Sequence, residues 1–357
     1  MAVDTLFTGA AERWRQRIAE RREYAVARDG NVFAAGLAQS VVARSEYDEA
    51  RRLHDTLVAA HRRATLADLF PGKEEENAAG TVYAVTSRTP LAAPQPDPAA
   101  ARRALCADLT LVPGIGPRTQ AALHARGYRS LHDLLHHPRF RSGARAVLDS
   151  LADTDVPALI RTVKHRSSAS HPLVLATAAF FRNHELVFLD IETLGLCTRP
   201  VILIGIGRLS GSDVVVTQYL VRHASEEAAA VLAAFAHLEE ERAALVTFNG
   251  KAFDMPFLAG RAAYYGYPPA PAVPHYDVLH FARRSWGRSV PDCRLKTLET
   301  AFCGVRRSDD IPSAMVPEFF ETYLRTGNPG PLVPVVEHNR IDVVSLARLF
   351  LLLRGGP

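Results

Sequence analysis

The 357-residue chain is 48% hydrophobic and 22% charged, the balance of a soluble globular protein with enough apolar residues for a core, and its length predicts about two domains. No run of about 18 uncharged apolar residues occurs, which excludes a membrane-spanning helix, and the four cysteines, Cys106, Cys197, Cys293 and Cys303, are scattered without a CxxC pair, which argues against a disulfide framework or zinc cluster and predicts a cytoplasmic setting. The net charge of +4 is uneven, with eleven Lys and Arg against five Asp and Glu between Ala101 and Ser170, so that segment is either a solvated surface or a face for a polyanion.

From the N-terminus, "AAERWRQRIAERREYAVA" and "SEYDEARRLHDTLVAAHRRATLADLF" carry apolar residues at helical spacing. No apolar h-region of a secretory signal opens the chain. Residues 1–88 are therefore expected to form a helical region. The Pro/Ala-rich "TPLAAPQPDPAA" marks a linker over 89–100. Residues 101–165 form a short, basic, helical module, and residues 171–357 alternate between strand and helix patterns. Strands are expected at 185–191, 201–209, 213–221 and 244–248, and helices at 225–242, 253–266, 278–285, 294–303, 316–326 and 332–353. The order predicts an α/β fold, a mixed sheet flanked by helices.

Three stretches of the last block carry acids in unusual places. In "ELVFLDIETLGL" an apolar strand ends on Asp190 and Glu192, which share one side of the strand. Two close carboxylates repel and are costly to bury. A divalent cation removes the conflict, and carboxylate oxygens suit hard Mg²⁺ or Mn²⁺; a strand leaving the core for water gives the same pattern. In "ALVTFNGKAFDMPFL" a strand turns at Asn249-Gly250 into a helix, and Asp254 stands at the helix start, as a further acid of a site or as an N-cap. In "PVVEHNRIDVVSLARLFLLL", His338 and Asp342 lie one turn apart on the helix face shared with Val335, Leu346 and Leu349, as a private pair or as part of a site.

"FLDIETLGL", "TFNGKAFDMPFL" and "EHNRIDVVSL", in this order, resemble the three motifs of the DEDD 3′–5′ exonuclease superfamily on the ribonuclease H-like fold, most of all its YprB-type branch. The resemblance covers roughly 184–353, and "LADLFPGKEEENAAGTVYAV" resembles the leader that precedes this domain there. It implies two bound cations, Mg²⁺ or Mn²⁺, held by Asp190, Glu192, Asp254 and Asp342, with His338 as the base or water-orienting residue. His338 stands four residues before Asp342, the spacing of the family's tyrosine subgroup; the histidine subgroup has its base five before, where this chain has Glu337. The resemblance further implies that Asn249 meets the terminal nucleotide, that Asp277 is structural, and that Lys296 and Arg294 of "RLKTLETAFCG" meet phosphate or are plain surface residues.

"LTLVPGIGPRTQAALHARGYRSLHDLLHHP" resembles a helix-hairpin-helix motif, with a tight turn at Gly114-Ile115-Gly116 between short helices packed by Ala121, Ala122 and Leu123. Its glycines let the backbone approach a phosphate, Pro117 suits the first helical turn, and Arg118 is placed to pair with the anion. Such contacts hold a nucleic-acid backbone without reading sequence. The expectation is a metal-dependent 3′–5′ exonuclease acting on DNA rather than RNA. A DNA-binding scaffold with an inactive nuclease domain, and an endonuclease or RNase of the same fold, are the alternatives.

Overall fold

The computed structural model describes residues 37–195, 199–305, 307 and 311–355. The first predicted helix, around 10–27, lies outside the described residues. After a long helix α1 (Leu37–Ala60) come a hairpin of β1 (Gly72–Asn77) and β2 (Gly80–Pro90), then α2 (Pro98–Ala107), α3 (Pro117–Ala125), α4 (Arg141–Ala152) and α5 (Val156–Arg166). The α/β half follows with β3 (Leu186–Thr193), β4 (Val201–Ser210), β5 (Asp213–Leu220), α6 (Glu227–Ala236), β6 (Ala244–Thr247), α7 (Asp254–Tyr264), β7 (His275–Asp277), α8 (Val278–Trp286), α9 (Val316–Thr326) and α10 (Leu332–Gly355). No described helix is long and apolar enough to cross a membrane.

One seven-stranded sheet runs β1-β2-β5-β4-β3-β6-β7. Neighbours are antiparallel from β1 to β3, while β3–β6 and β6–β7 are parallel. The mixed α/β architecture with helices on both faces is as the residues predict. The pleat sorts β3 by parity: Leu186 and Phe188 pack with Val343, Leu346 and Phe350 of α10, and Val187, Leu189 and Ile191 pack with α6 and α7 on the other face. Both faces being covered, the strand reads as a continuous apolar run.

The helical reading of 72–88 is corrected. This segment is the β1–β2 hairpin, and β2 extends the sheet edge by pairing with β5 from Tyr83–Leu220 to Pro90–Asp213. Val82 to Val85 bury against the sheet, and the Glu-rich β1 keeps its charges outward, as an edge strand does. Tertiary pairing overrides the helical propensity of the Glu/Ala-rich stretch. The linker is also shorter than expected, because Thr89 and Pro90 belong to β2 and Pro98 opens α2. Asn183 Nδ2 and Arg354 Nη2 donate to the Pro94 carbonyl at 3.3 and 2.8 Å and tie the segment down. The basic module shares one apolar core with the sheet: Leu105, Leu109, Leu131 and Leu134 continue into the layer holding Phe188 and Phe350.

Helix α10 lies close on β4 because β4 carries Gly205 and Gly207 where it crosses. A Cβ on Gly205 would come within 2.3 Å of Asn339 Oδ1, and one on Gly207 within 2.5 Å of Val343 Cγ1. Gly205→Ala is expected to cost roughly 1–3 kcal/mol through overpacking. Denaturant unfolding measures it, and an unchanged midpoint would show that α10 moves aside freely.

Candidate active site

The four motif acids come together where β3, α7 and α10 meet. Asp190 and Glu192 project from β3 on the parity of Leu186 and Phe188, hence toward α10. The β3–β4 register shifts between Glu192 and Thr193, a bulge that ends regular pairing at the site. Asp254 opens α7; the N-cap residue is Phe253, so Asp254 is not a cap, and the backbone N–H groups of its own residue and of Ile191 act to lower its pKa against burial. Asp342 and His338 face the sheet from α10, with His338 Nε2 3.5 Å from Asp342 Oδ2 and 3.9 Å from Glu192 Oε1.

Electrostatics describe the cluster best. Burial raises the pKa of Asp190 far above the usual range, and Asp342, Asp254 and Glu192 raise it further. Burial pushes Glu192 up to about 7, with Asp342 and Asp254 adding to the rise and His338 opposing it. Asp254 is likewise pushed up to about 7 by burial, with help from Asp277 and Asp342. Asp342 is raised by burial although His338 and Arg307 pull it down. Asp342 and Asp254 thus burden Asp190 and Glu192 at neutral pH, and all four carboxylates are burdened by desolvation, which is the condition a bound cation relieves. All-oxygen donors suit a hard divalent ion. The donor chemistry fits Mg²⁺ or Mn²⁺, yet among the described residues no three His, Cys, Asp or Glu side chains close around a single ion as they stand.

Three polar residues that sequence reading passed over build the surroundings. Asn339, fully buried, donates from Nδ2 to Asp190 Oδ2 at 2.9 Å and accepts from Gln218 Nε2 at 2.9 Å, so it fixes the Asp190 carboxylate to the sheet. Arg307 donates to Glu299 at 2.5 and 2.7 Å, to Asp342, and from Nη1 to His338 Nδ1 at 3.2 Å. Burial opposes the Arg307 charge, but the hydrogen bonds and charges of Glu299 and Asp342 outweigh it and raise its pKa. Glu299 is fully buried, swung inward by a widened helical turn over Glu299–Cys303. Asn339 left a signal in the sequence as a polar neighbour of His338 inside an apolar helix, and Glu299 as the acid of "RLKTLETAFCG"; Arg307 left none.

The remaining predicted residues divide. Asn249 is exposed beside Asp254 in the left-handed region (φ 64°), and Gly250 packs so tightly on Thr247 that a Cβ would meet it at 2.5 Å. Asp277, fully buried, accepts from the backbone N–H of Asn249 at 2.8 Å and of Lys251 at 3.2 Å, which makes it the clamp of this turn. Glu337 does not join the acids; it is turned outward onto Arg340 at 2.6 and 2.8 Å, because one step along a helix rotates a side chain by about 100°. Lys296 and Arg294 are exposed, on the short helix that leads to Glu299.

In the basic module, Gly114 has φ 89°, Ile115 is fully buried, and Gly116 caps α3 without a side-chain hydrogen bond while Pro117 begins it. Arg118 is exposed at this helix start. The turn before α3 follows a single helical turn, Leu109–Leu111, rather than a full helix. Leu123 packs inward as expected, but Ala121 and Ala122 are exposed.

Residues 187–354 match the family model of the RNase_H superfamily, in agreement with the mixed sheet and its flanking helices. The chain is 32% identical over 195 residues to a Bacillus subtilis (strain 168) protein named Uncharacterized protein YprB; the match takes in 53% of this chain and 46% of that protein. The chain therefore spans about half the length of this curated relative.

Proposed function

We propose that the α/β domain is a metal-dependent nuclease, a 3′–5′ exonuclease that hydrolyses DNA phosphodiester bonds with two bound cations. The observation that carries this reading is the convergence of Asp190, Glu192, Asp254 and Asp342, from three separate segments, in one pocket where Asp342 and Asp254 raise the pKa of Asp190 and Glu192, and Asp342 raises that of Asp254. These four would hold Mg²⁺ or Mn²⁺. Bound there, the cations supply an activated water and stabilise the leaving oxygen. Asn339 keeps Asp190 aimed into the pocket, and His338 stands over Glu192 and Asp342 to act on the attacking water. Asn249, exposed at the pocket edge, meets the terminal nucleotide; Lys296 meets a strand phosphate farther out. The 3′–5′ direction follows from the motif resemblance.

DNA is favoured as substrate by the resemblance of this segment to a helix-hairpin-helix motif, whose loop Gly114–Gly116 and Arg118 suit a backbone phosphate at an uncapped helix start. The test is the purified protein with Mn²⁺ on end-labelled single- and double-stranded DNA and RNA. A ladder shortening from the 3′ end of DNA supports the reading. Internal cuts overturn the exonuclease assignment, and binding without cleavage turns the protein into a scaffold. In the same experiment Arg118→Ala is expected to weaken DNA binding alike for all sequences and to lower the salt slope by about one; an unchanged slope removes the module from the interface.

A further inference from the structure

Arg307 is nearly sequestered, with its side chain 4% exposed and Glu299 at 0%. It makes a two-pronged pair with Glu299 and spends its other donors on Asp342 and on His338 Nδ1. A guanidinium has donors only. The nitrogen it faces must therefore accept, and the neutral His338 ring then carries its proton on Nε2. Nε2 is the atom that looks into the acid pocket, 3.9 Å from Glu192 Oε1 and 3.5 Å from Asp342 Oδ2. Asp342, one turn along α10, faces Nε2 and favours the same tautomer, while Arg307, from another segment, occupies the Nδ1 side. Glu299 matches the Arg307 charge, so the pair is a rigid fixture and not a stray cation.

We propose that Arg307, braced by Glu299, is the positioning residue of the site: it locks His338 in the tautomer that presents Nε2–H to the pocket, so that His338 orients the attacking water or a phosphate oxygen by donating a hydrogen bond instead of taking a proton. This also accounts for a histidine working at a register different from that of the base in the histidine subgroup. The catalytic half of the inference rests on the nuclease reading; the tautomer half does not.

The two halves are separated by two measurements. In the metal-free full-length chain labelled with ¹⁵N-histidine, the ring nitrogens of His338, assigned with His338→Gln, are expected to show the Nε2–H tautomer, and Arg307→Met is expected to weaken that preference measurably, Asp342 remaining on the Nε2 side. If Arg307→Met fails to fold because it strands the buried Glu299, the double variant Arg307→Met/Glu299→Gln removes the orphaned charge and serves in its place. In Mn²⁺-dependent cleavage, Arg307→Met is expected to lower kcat 10- to 100-fold, as loss of a supporting partner does, with KM unchanged. Arg307→Lys is expected not to rescue, because an ammonium cannot bridge three partners in a plane. In a His338→Ala background the Arg307 substitution should add almost nothing further. An Nδ1–H tautomer in the wild type, an unaltered tautomer in Arg307→Met, or fully additive losses would overturn the proposal. Absence of cleavage in the wild type would overturn the nuclease reading and leave the tautomer result to stand or fall by itself.

Discussion

Asp190→Asn is expected to abolish Mn²⁺-dependent cleavage, by at least about 10³-fold, while the fold survives. The substitution keeps the volume and the contact with Asn339 but removes the charge that a cation needs. A metal ion at a phosphodiester supplies several kcal/mol of transition-state stabilisation, and about 4 kcal/mol corresponds to 10³ in rate. Asp342→Asn should do the same, with an added disturbance because Asp342 also receives Arg307. Circular dichroism and an unfolding midpoint check that the protein is intact. Asp190→Asn is not expected to be less stable than the wild type above neutral pH, since it removes a carboxylate burdened by desolvation and three acidic neighbours, whereas Asp342→Asn also loses the Arg307 contact. Cleavage at the wild-type rate in either variant would end the two-cation reading.

The second large effect is a linkage between pH, metal and stability. Glu192 rises from 4.5 and Asp254 from 3.8, both to about 7, under burial and their acidic neighbours. Acids with raised pKa bind more protons folded than unfolded, so their contribution is full below about pH 4 and is lost as pH climbs to about 7. Buried His275, pushed down to about 3, works in the opposite sense below pH 6.5. The measurement is therefore the difference between wild type and Glu192→Gln. The metal-free variant is expected to gain on the wild type as pH rises from about 4.5 to 7, by up to about 3 kcal/mol for a carboxylate displaced that far. Mn²⁺ at 100 times its Kd should restore about 2.7 kcal/mol to the wild type, a rise in Tm of roughly 3–5 °C. The variant should gain less. A difference flat across this pH range would mean that the acids are solvated, and no metal effect on Tm would mean that they bind no cation.

The residues alone gave the α/β class and the strands and helices from β3 onward except the three-residue β7. Those features rest on local periodicity, whereas the joining of Asp254 to the other acids came from the motif resemblance. Alternation on β3 places Asp190 and Glu192 on one side, and one helical turn places His338 beside Asp342. The N-terminal hairpin was illegible because β1 is a strand by pairing with β2, and β2 by pairing with β5. A Glu-rich edge strand carries little periodic signal.

What only the tertiary structure decided is how the acids are held. Glu337 and His338 are adjacent and equally polar, yet one faces solvent and the other the pocket, because the rotation of α10 is set by where Gly205 and Gly207 let it settle on β4. Arg307 belongs to a segment with no motif of its own, and it reaches Asp342 and His338 across a fold that brings distant chain positions together. Periodicity names the face on which a side chain stands. It does not name the partner on the opposite face, and in a buried polar cluster the partner decides which atom carries the proton.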